Sequence, residues 1–436
     1  MRKVLINLAY LVALVVYSPV IIYRMFRQNR YREGWCQRLG HIDRLHPDKP
    51  CIWIHAVSVG EVNATRTLIP ALQRDLPDCE ILITSTTDTG YARAKAVYEN
   101  HLAVSYFPFD FSPLMERAFQ NIRPAVILLL ELEIWPNLVR IAEKNKVPVA
   151  VVNGRISDRS FPKYQKLRPF IEWMFKKVSL VLAQTNEYAE RFRALGCPNG
   201  HVKVAGSVKY DTAQTEGPVE GADRLKEQIR LADEPLWVAG GTGPTEEQLI
   251  LDVYKELIKI DEHKNLRLAV IPRKPERFDE VAALIEKSGF SYIRYSELKK
   301  TDRISTHLHP VILGDTMGDL RKFYALAQIV FVGRSLTPMG GSDMMEPTGL
   351  GKCTLFGPYT FNFRQTVEVL LAGNGAVEVA NQAALEVEMK DLLNNSNRIC
   401  QIAENGRRII CENKGATERT VQAIQNLLKK TGEESG

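Results

Sequence analysis

From Cys51 onward the chain alternates short, continuous apolar runs with amphipathic stretches, and few folds are compatible with that alternation. Thirteen runs read as strands: 51–55, 80–84, 103–107, 125–130, 148–153, 179–183, 202–205, 236–239, 266–271, 310–313, 329–332, 353–356 and 376–379. Helical patterns such as 62–73, 89–99 and 136–145 lie between them. A run that is apolar at every position belongs to a strand covered on both faces, and strands separated by helices pair in parallel. The expected fold class is therefore α/β, with doubly wound, Rossmann-like sheets. At 436 residues the chain exceeds one ordinary core, so two such domains facing a cleft are expected. The polar segment 211–221, which carries Gly217, Pro218 and Gly221, reads as a linker. The expected division is an anchor with its basic flank over 1–32, a first domain over 33–211, a linker over 212–222, and a second domain over 223–436. Helices from about Leu385 to Leu428 close that second domain.

The charge is local. Up to residue 32 the chain holds six basic residues (Arg2, Lys3, Arg24, Arg27, Arg30, Arg32) and no acidic one, which equals the whole-chain excess of 57 basic over 51 acidic residues. The folded part is thus neutral overall, which argues against nucleic acid as a partner. Residues 4–23 are uncharged and mostly apolar, with Asn7 as the main polar interruption. About 20 such residues in a helix match the hydrocarbon core of a bilayer. The run ends in arginines instead of small residues, so it reads as an uncleaved anchor. The four arginines after it outweigh Arg2 and Lys3, and the positive-inside rule then keeps the body of the protein in the cytoplasm. Seven scattered cysteines without CxxC spacing agree with a reducing compartment. The histidines show no ligand spacing, and neither a metal nor a cofactor is expected.

Several junctions carry chemistry. His55-Ala56-Val57-Ser58-Val59-Gly60-Glu61 joins an apolar run to a helical pattern, placing a carboxylate at the carboxyl edge of a sheet, where ligands bind. Glu61 can be read as a general base, or Ser58-x-x-Glu61 as a capping box that satisfies the helix start. After the run 125–130 come Glu131 and Glu133; if the strand continues through them, both face one side and raise each other's pKa. Otherwise Glu133 simply precedes a helix starting at Pro136. Further on, Gly333-Arg334-Ser335 follows a strand and Gly340-Gly341 precedes a short helix with Glu346. Such turns let backbone amides approach an anion, and Glu346 could accept from ribose hydroxyls. Neither a GxGxxG fingerprint after a first strand nor a Walker A sequence is present. Arg273 lies at a strand's carboxyl end, where it could meet phosphate, whereas Arg277 suits a pairing with acids. Residues 161–177 mix aromatics with Lys163, Lys166, Arg168, Lys176 and Lys177, which suits a membrane surface or an anionic lipid, or else a solvated helix.

Together these segments resemble one family, the 3-deoxy-D-manno-octulosonic acid (Kdo) transferases of lipopolysaccharide assembly. The resemblance runs from Arg38-Leu39-Gly40 through His55 to Glu61, Glu131-Leu-Glu-Ile-Trp-Pro-Asn137, Asn153-Gly-Arg155 and Gly206-Ser-Val-Lys-Tyr-Asp211. It continues through Pro272-Arg273-x-Pro275, Gly314-Asp-Thr-Met-Gly318 and Gly357-Pro358-x-Thr360-Phe361-Asn362-Phe363. It implies a GT-B fold and an inverting, metal-independent glycosyltransferase moving Kdo from CMP-Kdo to a lipid A precursor at the inner membrane. By the resemblance, Glu61 is the general base, and Arg273, Gly333, Ser335, Gly340, Gly341 and Glu346 hold the donor. Ser58, Gly60, Glu131, Glu133, Ser207 and Lys209 fall in the cleft without an assigned role. The chain departs from the family at Gly241-Thr242-Gly243-Pro244-Thr245 and at Ser342-Asp343-Met344, both around the donor. Those departures leave open a related transferase with another nucleotide sugar, or a non-catalytic membrane-tethered relative.

Overall fold

The structure, a computed structural model, describes residues 2–27, 33–301 and 310–433. It divides into two compact units, residues 1–212 with 414–436, and residues 213–413. In the first unit the strands are β1 (Cys51–His55), β2 (Glu80–Ser85), β3 (Ala103–Tyr106), β4 (Pro124–Leu130), β5 (Val149–Gly154), β6 (Leu180–Ala183) and β7 (Val202–Val204). They form one parallel sheet in the order β3-β2-β1-β4-β5-β6-β7. The apolar runs are continuous because both faces are covered. Ile52, Ile54, Ile81, Ile83, Val126 and Leu128 pack into one core, while Cys51, Trp53, Leu82, Ile127 and Leu129 pack into another on the opposite face.

The second unit holds β8 (Leu236–Thr242), β9 (Arg267–Pro272), β10 (Tyr292–Arg294), β11 (Val311–Leu313), β12 (Ile329–Val332), β13 (Cys353–Phe356) and β14 (Val377–Glu378). Its parallel order is β10-β11-β9-β8-β12-β13-β14. The sequence did not signal β10, a three-residue edge strand that pairs with β11 through Tyr292, Ile293 and Arg294. An edge strand this short has one apolar side chain to bury, Ile293, so it carries no apolar run. Both sheets are doubly wound, and in each the strand order reverses beside its first strand: between β1 and β4, and between β8 and β12. Ligands of open α/β sheets bind at the carboxyl ends of strands at that reversal.

One expectation about the chain's ends changes. The last helix, Ala416–Glu433, belongs to the first unit, not to the second. Its Val421 and Ile424 complete the core around Ile52 and Ile54. The Asp211 carboxylate accepts from the Gly415 and Thr417 amides at 2.6 Å each, and Arg419 donates to the Ala205 carbonyl at 2.8 Å. An amphipathic helix goes where an apolar face is open, and chain proximity does not decide which sheet that is. At the other end, Arg2–Arg27 is helical, and its stretch Ile6–Arg27 is long and apolar enough to cross a membrane. Its polar interruption is matched by the folded unit. Asn7 Oδ1 accepts from the Ser112 amide (3.2 Å), the Ser112 hydroxyl (3.1 Å) and Asn137 Nδ2 (3.1 Å), and the Tyr10 hydroxyl donates to Asp110 at 2.8 Å. Arg30 and Arg32 of the basic flank lie outside the described residues. In the basic–aromatic segment, the helix Phe161–Phe175 buries Met174 and Phe175 but leaves Phe170 75 % exposed beside exposed Lys166 and Arg168.

Candidate active site

In the first unit the reversal between β1 and β4 gathers carboxylates. Ser58, with extended backbone, is the N-cap of the helix Val59–Asp75, and its hydroxyl accepts from the Glu61 amide at 3.4 Å. The Glu61 carboxylate reaches back: Oε2 accepts from the Val57 amide (2.8 Å) and Oε1 from the Ser58 hydroxyl (2.9 Å). The capping box is therefore real, and its carboxylate takes the amide one residue before the cap. The cap does not exhaust Glu61. Each carboxylate oxygen has two acceptor sites and uses one here, leaving capacity to take a proton. Glu61 is only 8 % exposed. Burial raises its pKa, the bonds from Val57 and Ser58 oppose the rise, and the charge of Glu131 adds to it.

β4 ends at Leu130, so the strand does not run on through the next two carboxylates. Glu131 turns the chain in the left-handed region (φ 56°), its amide donating to the Val152 carbonyl at 3.0 Å, and Pro136 opens the following helix. The like-charge effect expected from a strand arises from the loop instead. Burial first, and then the charges of Glu61 and Glu131, push Glu133 up to about 7. A carboxyl whose pKa is raised in the folded state stabilises the fold below its unfolded value and loses that contribution as pH rises through the folded value. Glu133→Gln should therefore raise stability by about 2 kcal/mol at pH 8 and change it little at pH 4, which denaturant titrations at the two pH values would measure. His55 is no acid–base candidate: fully buried and stacked on Phe107 at 3.8 Å, it is pushed down to about 3 by burial.

Ser207 and Lys209 follow β7, at the far side of the same carboxyl edge. Ser207 is buried, and its hydroxyl accepts from the Lys209 amide at 3.4 Å. Val208 between them packs against Ala64, one residue short of a turn beyond Glu61 in the same helix, and its amide donates to Asn153 at 3.3 Å. The loop after β7 thus folds back toward the helix of Glu61. Gly60, in contrast, has no fold-based reason to be glycine, since an added Cβ would meet only the Ser58 hydroxyl, at 3.7 Å.

In the second unit the reversal between β8 and β12 is occupied by a residue the sequence reading had passed over. Glu246 is fully buried, and its carboxylate accepts from four backbone amides: Ser335 (2.7 Å) and Leu336 (2.8 Å) on one oxygen, Gly243 (3.0 Å) and Arg334 on the other. Gly333 and Ser335 were expected to present this turn to a ligand anion. The amides at 334–336 instead hold the protein's own carboxylate. Ser335 is fully buried, its hydroxyl donating to the Val332 carbonyl (2.5 Å) and accepting from the Gly357 amide (2.8 Å). Gly333 permits the close approach of β8, since a Cβ there would lie 2.5 Å from Thr242 Cα. Both build the loop and leave the ligand side to others.

Gly340 (φ 91°) and Gly341 (φ 79°) are in the left-handed region, and the Gly341 amide closes the loop on the Arg334 carbonyl at 2.8 Å. Glu346 pairs with Arg321 at 2.8 Å and opens a helix of only five residues, Met345–Gly349. Arg273 is exposed and anchored by its amide to the Thr242 carbonyl at 3.0 Å. Arg277 is committed elsewhere, to buried Glu247 at 2.6 Å and to Glu280 at 2.7 Å. A second residue the sequence did not signal is Tyr324, fully buried, whose hydroxyl has no hydrogen-bond partner among the described residues. Its pKa is raised by burial and by the charges of Glu346 and Asp343, against the opposing charge of Arg273. The charges of Asp343 and Glu346 and, from a distant part of the sequence, Arg273 therefore all act on one buried hydroxyl. Among the described residues no group of His, Cys, Asp or Glu is arranged to hold a metal ion.

The family model for 3-deoxy-D-manno-octulosonic-acid transferase (kdotransferase) matches residues 33–212. Across nearly the whole chain the protein is 33 % identical to the 3-deoxy-D-manno-octulosonic acid transferase of Haemophilus influenzae, over 92 % of this chain and 93 % of that one. It is 30 % identical to the Bordetella pertussis enzyme of the same name, over 96 % and 99 %. In fold it is similar to a glycosyltransferase from Rickettsia africae (TM-score 0.54, 13 % identity, 88 % of this chain and 99 % of that one). It is also similar to the UDP-GlcNAc 2-epimerase of Neisseria meningitidis (TM-score 0.52, 13 % identity, 83 % and 99 %). Those two likenesses concern architecture alone. With two doubly wound seven-stranded sheets of GT-B type and a full-length match to curated relatives, this chain belongs to the Kdo transferase family of glycosyltransferases.

Proposed function

We propose that this protein is an inverting, metal-independent transferase that moves Kdo from CMP-Kdo to a hydroxyl of a lipid A precursor on the cytoplasmic face of the inner membrane. The observation that carries the proposal is the buried Glu61, raised in pKa and facing the charge of Glu131 at the strand reversal of the first unit. In the reaction, the acceptor oxygen attacks the anomeric carbon of Kdo and its proton passes to the Glu61 carboxylate. The bond from that carbon to the phosphate oxygen breaks, and CMP leaves with the electron pair. Arg273 meets the phosphate charge, the 340–341 loop lets the donor approach the backbone, and Glu346 accepts from the ribose. Gly333 and Ser335 shape that pocket from behind. Ser58 and the Val57 amide hold Glu61 in place, and burial with the charge of Glu131 keeps its proton affinity high.

The terminal helix and the exposed Phe170 with its lysines and arginine bring the acceptor's membrane to the site. With Asn7 and Tyr10 bonded to the folded unit, the uncharged run left beyond Tyr10, residues 11–23, is about 20 Å long, short of the ~30 Å core, which favours insertion into one leaflet. The decisive experiment incubates purified protein with freshly made CMP-Kdo and a lipid A precursor and weighs the product by mass spectrometry. A mass increase of one or more Kdo units is expected. Transfer from UDP- or GDP-sugars without transfer from CMP-Kdo would replace the donor assignment. Gly60→Ala should match or exceed the wild-type stability, by up to about 1 kcal/mol. It should also raise the acceptor KM, because its methyl group enters space left open beside Glu61.

A further inference from the structure

A second concave site lies on the first unit, at the edge of the sheet away from the carboxylates. A cavity of about 690 Å³ is lined where the chain enters β5, β6 and β7 and by the last helix. Since those strands are parallel, their amino ends lie together, opposite the carboxyl edge that carries Glu131 and Lys209. The lining brings together Lys146, Lys176, Lys177, Lys203 and Lys430, with Glu143 as its one carboxylate. Lys177 pairs with Glu143, and Lys176 with Glu172 at 3.2 Å. Lys146, Lys203 and Lys430 have no ion-pair partner among the described residues. His201 turns its Nδ1 to the Val178 carbonyl at 2.8 Å, and Val147, Leu180 and Leu427 give the cavity an apolar part.

Lysine on an exposed edge strand such as β7 is a common protection against strand pairing, and that accounts for Lys203. It does not account for the others, which come from two helix ends and the last helix. Like charges brought around one cavity repel, and the repulsion is relieved by an anion of matching multiplicity. Ammonium groups are compact, hydrated point charges that suit clustered phosphate oxygens without demanding one planar geometry. A cavity of several hundred Å³ is the usual size of a small-ligand site. We infer that this cavity binds an anion carrying at least two phosphate groups, at a place separate from the transfer chemistry. Such an anion can be free diphosphate or the phosphates of a lipid headgroup.

The test uses the full chain in neutral detergent and its K146A/K203A/K430A variant, whose substitutions touch only exposed side chains outside the transfer machinery. The K146R/K203R/K430R variant is the charge-preserving control. Inorganic diphosphate is titrated calorimetrically at constant ionic strength. In parallel, binding is compared between phosphatidylcholine vesicles and the same vesicles with about 10 % cardiolipin, a two-phosphate headgroup. Saturable binding near one site per chain, weakened at least about tenfold in the alanine variant and kept in the arginine variant, is expected in one of the two arms. Loss in the diphosphate arm assigns a soluble ligand, and loss of the cardiolipin-dependent increment assigns a headgroup. Binding that is absent from both arms, or unchanged by the alanine substitutions, overturns the inference.

Discussion

Glu61→Gln should leave a folded protein whose transfer rate falls by about 10²–10⁴, the usual contribution of a positioned general base. The glutamine keeps a carbonyl oxygen for the Val57 amide that Glu61 now serves, so the helix start persists while the proton acceptor is lost. Stability should not drop at neutral pH. Burial raises the folded pKa of Glu61, and a raised carboxyl stabilises the fold only below its unfolded value, losing that contribution as pH rises through the folded one. Neutralising it removes an unfavourable buried charge. The pH profile supplies an independent reading: wild-type activity should fall on the acid side, at a pH above the ordinary carboxylate range, as Glu61 takes up a proton, and the residual activity of the variant should lack that limb. Ser58→Ala separates cap from base, because it removes a cap worth about 1 kcal/mol while the Glu61 carboxylate remains, still bonded to the Val57 amide. Normal turnover by Glu61→Gln together with lower stability would reduce Glu61 to a cap.

The second large effect is expected at Glu246. Alanine there strips the acceptor from four backbone amides at Gly243, Arg334, Ser335 and Leu336. An unsatisfied buried donor costs about 1–3 kcal/mol, and water entering the space offsets part of the sum, so a loss of at least about 3 kcal/mol is expected. In a unit of this size that lowers its Tm by roughly 6–12 °C. Glutamine is no conservative replacement, since its NH₂ would face two amide donors where an oxygen now accepts. The loops after β8 and β12 would separate, and the donor KM should rise by at least about tenfold while the acceptor KM holds. Calorimetry with steady-state kinetics on both substrates measures this. A variant that loses stability but keeps its donor KM would make Glu246 a strut with no bearing on the donor.

How much could be read in advance follows from what each feature depends on. Strands such as Ile329–Val332 and Cys353–Phe356 were legible to the residue, because a strand buried on both faces must be apolar throughout. Tyr292–Arg294 was not, since an edge strand takes its pairing from its neighbour β11. Glu61 was legible as a cap and as a base; the structure shows the cap and leaves one acceptor site on each carboxylate oxygen for the proposed base role. Glu131 and Glu133 were legible as a pair, but the expected geometry, a continuing strand, gives way to a turn at Glu131. The 333–335 turn was legible as an anion cradle, and its anion proved to be Glu246, a residue some 88 positions earlier in the chain.

Local pattern therefore carried the fold class, the two sheets and the junctions where chemistry sits, because helix and strand periods are properties of chain neighbours. The family motifs added the reason to propose Glu61 as the general base. What a residue becomes at those junctions rested on the tertiary structure alone. The convergence of Glu61 with Glu131 and Glu133, the capture of four amides by Glu246, the return of the last helix to the first sheet and the gathering of five lysines all join residues distant in sequence. Each depends on desolvation and on long-range contact, and no local spacing encodes either.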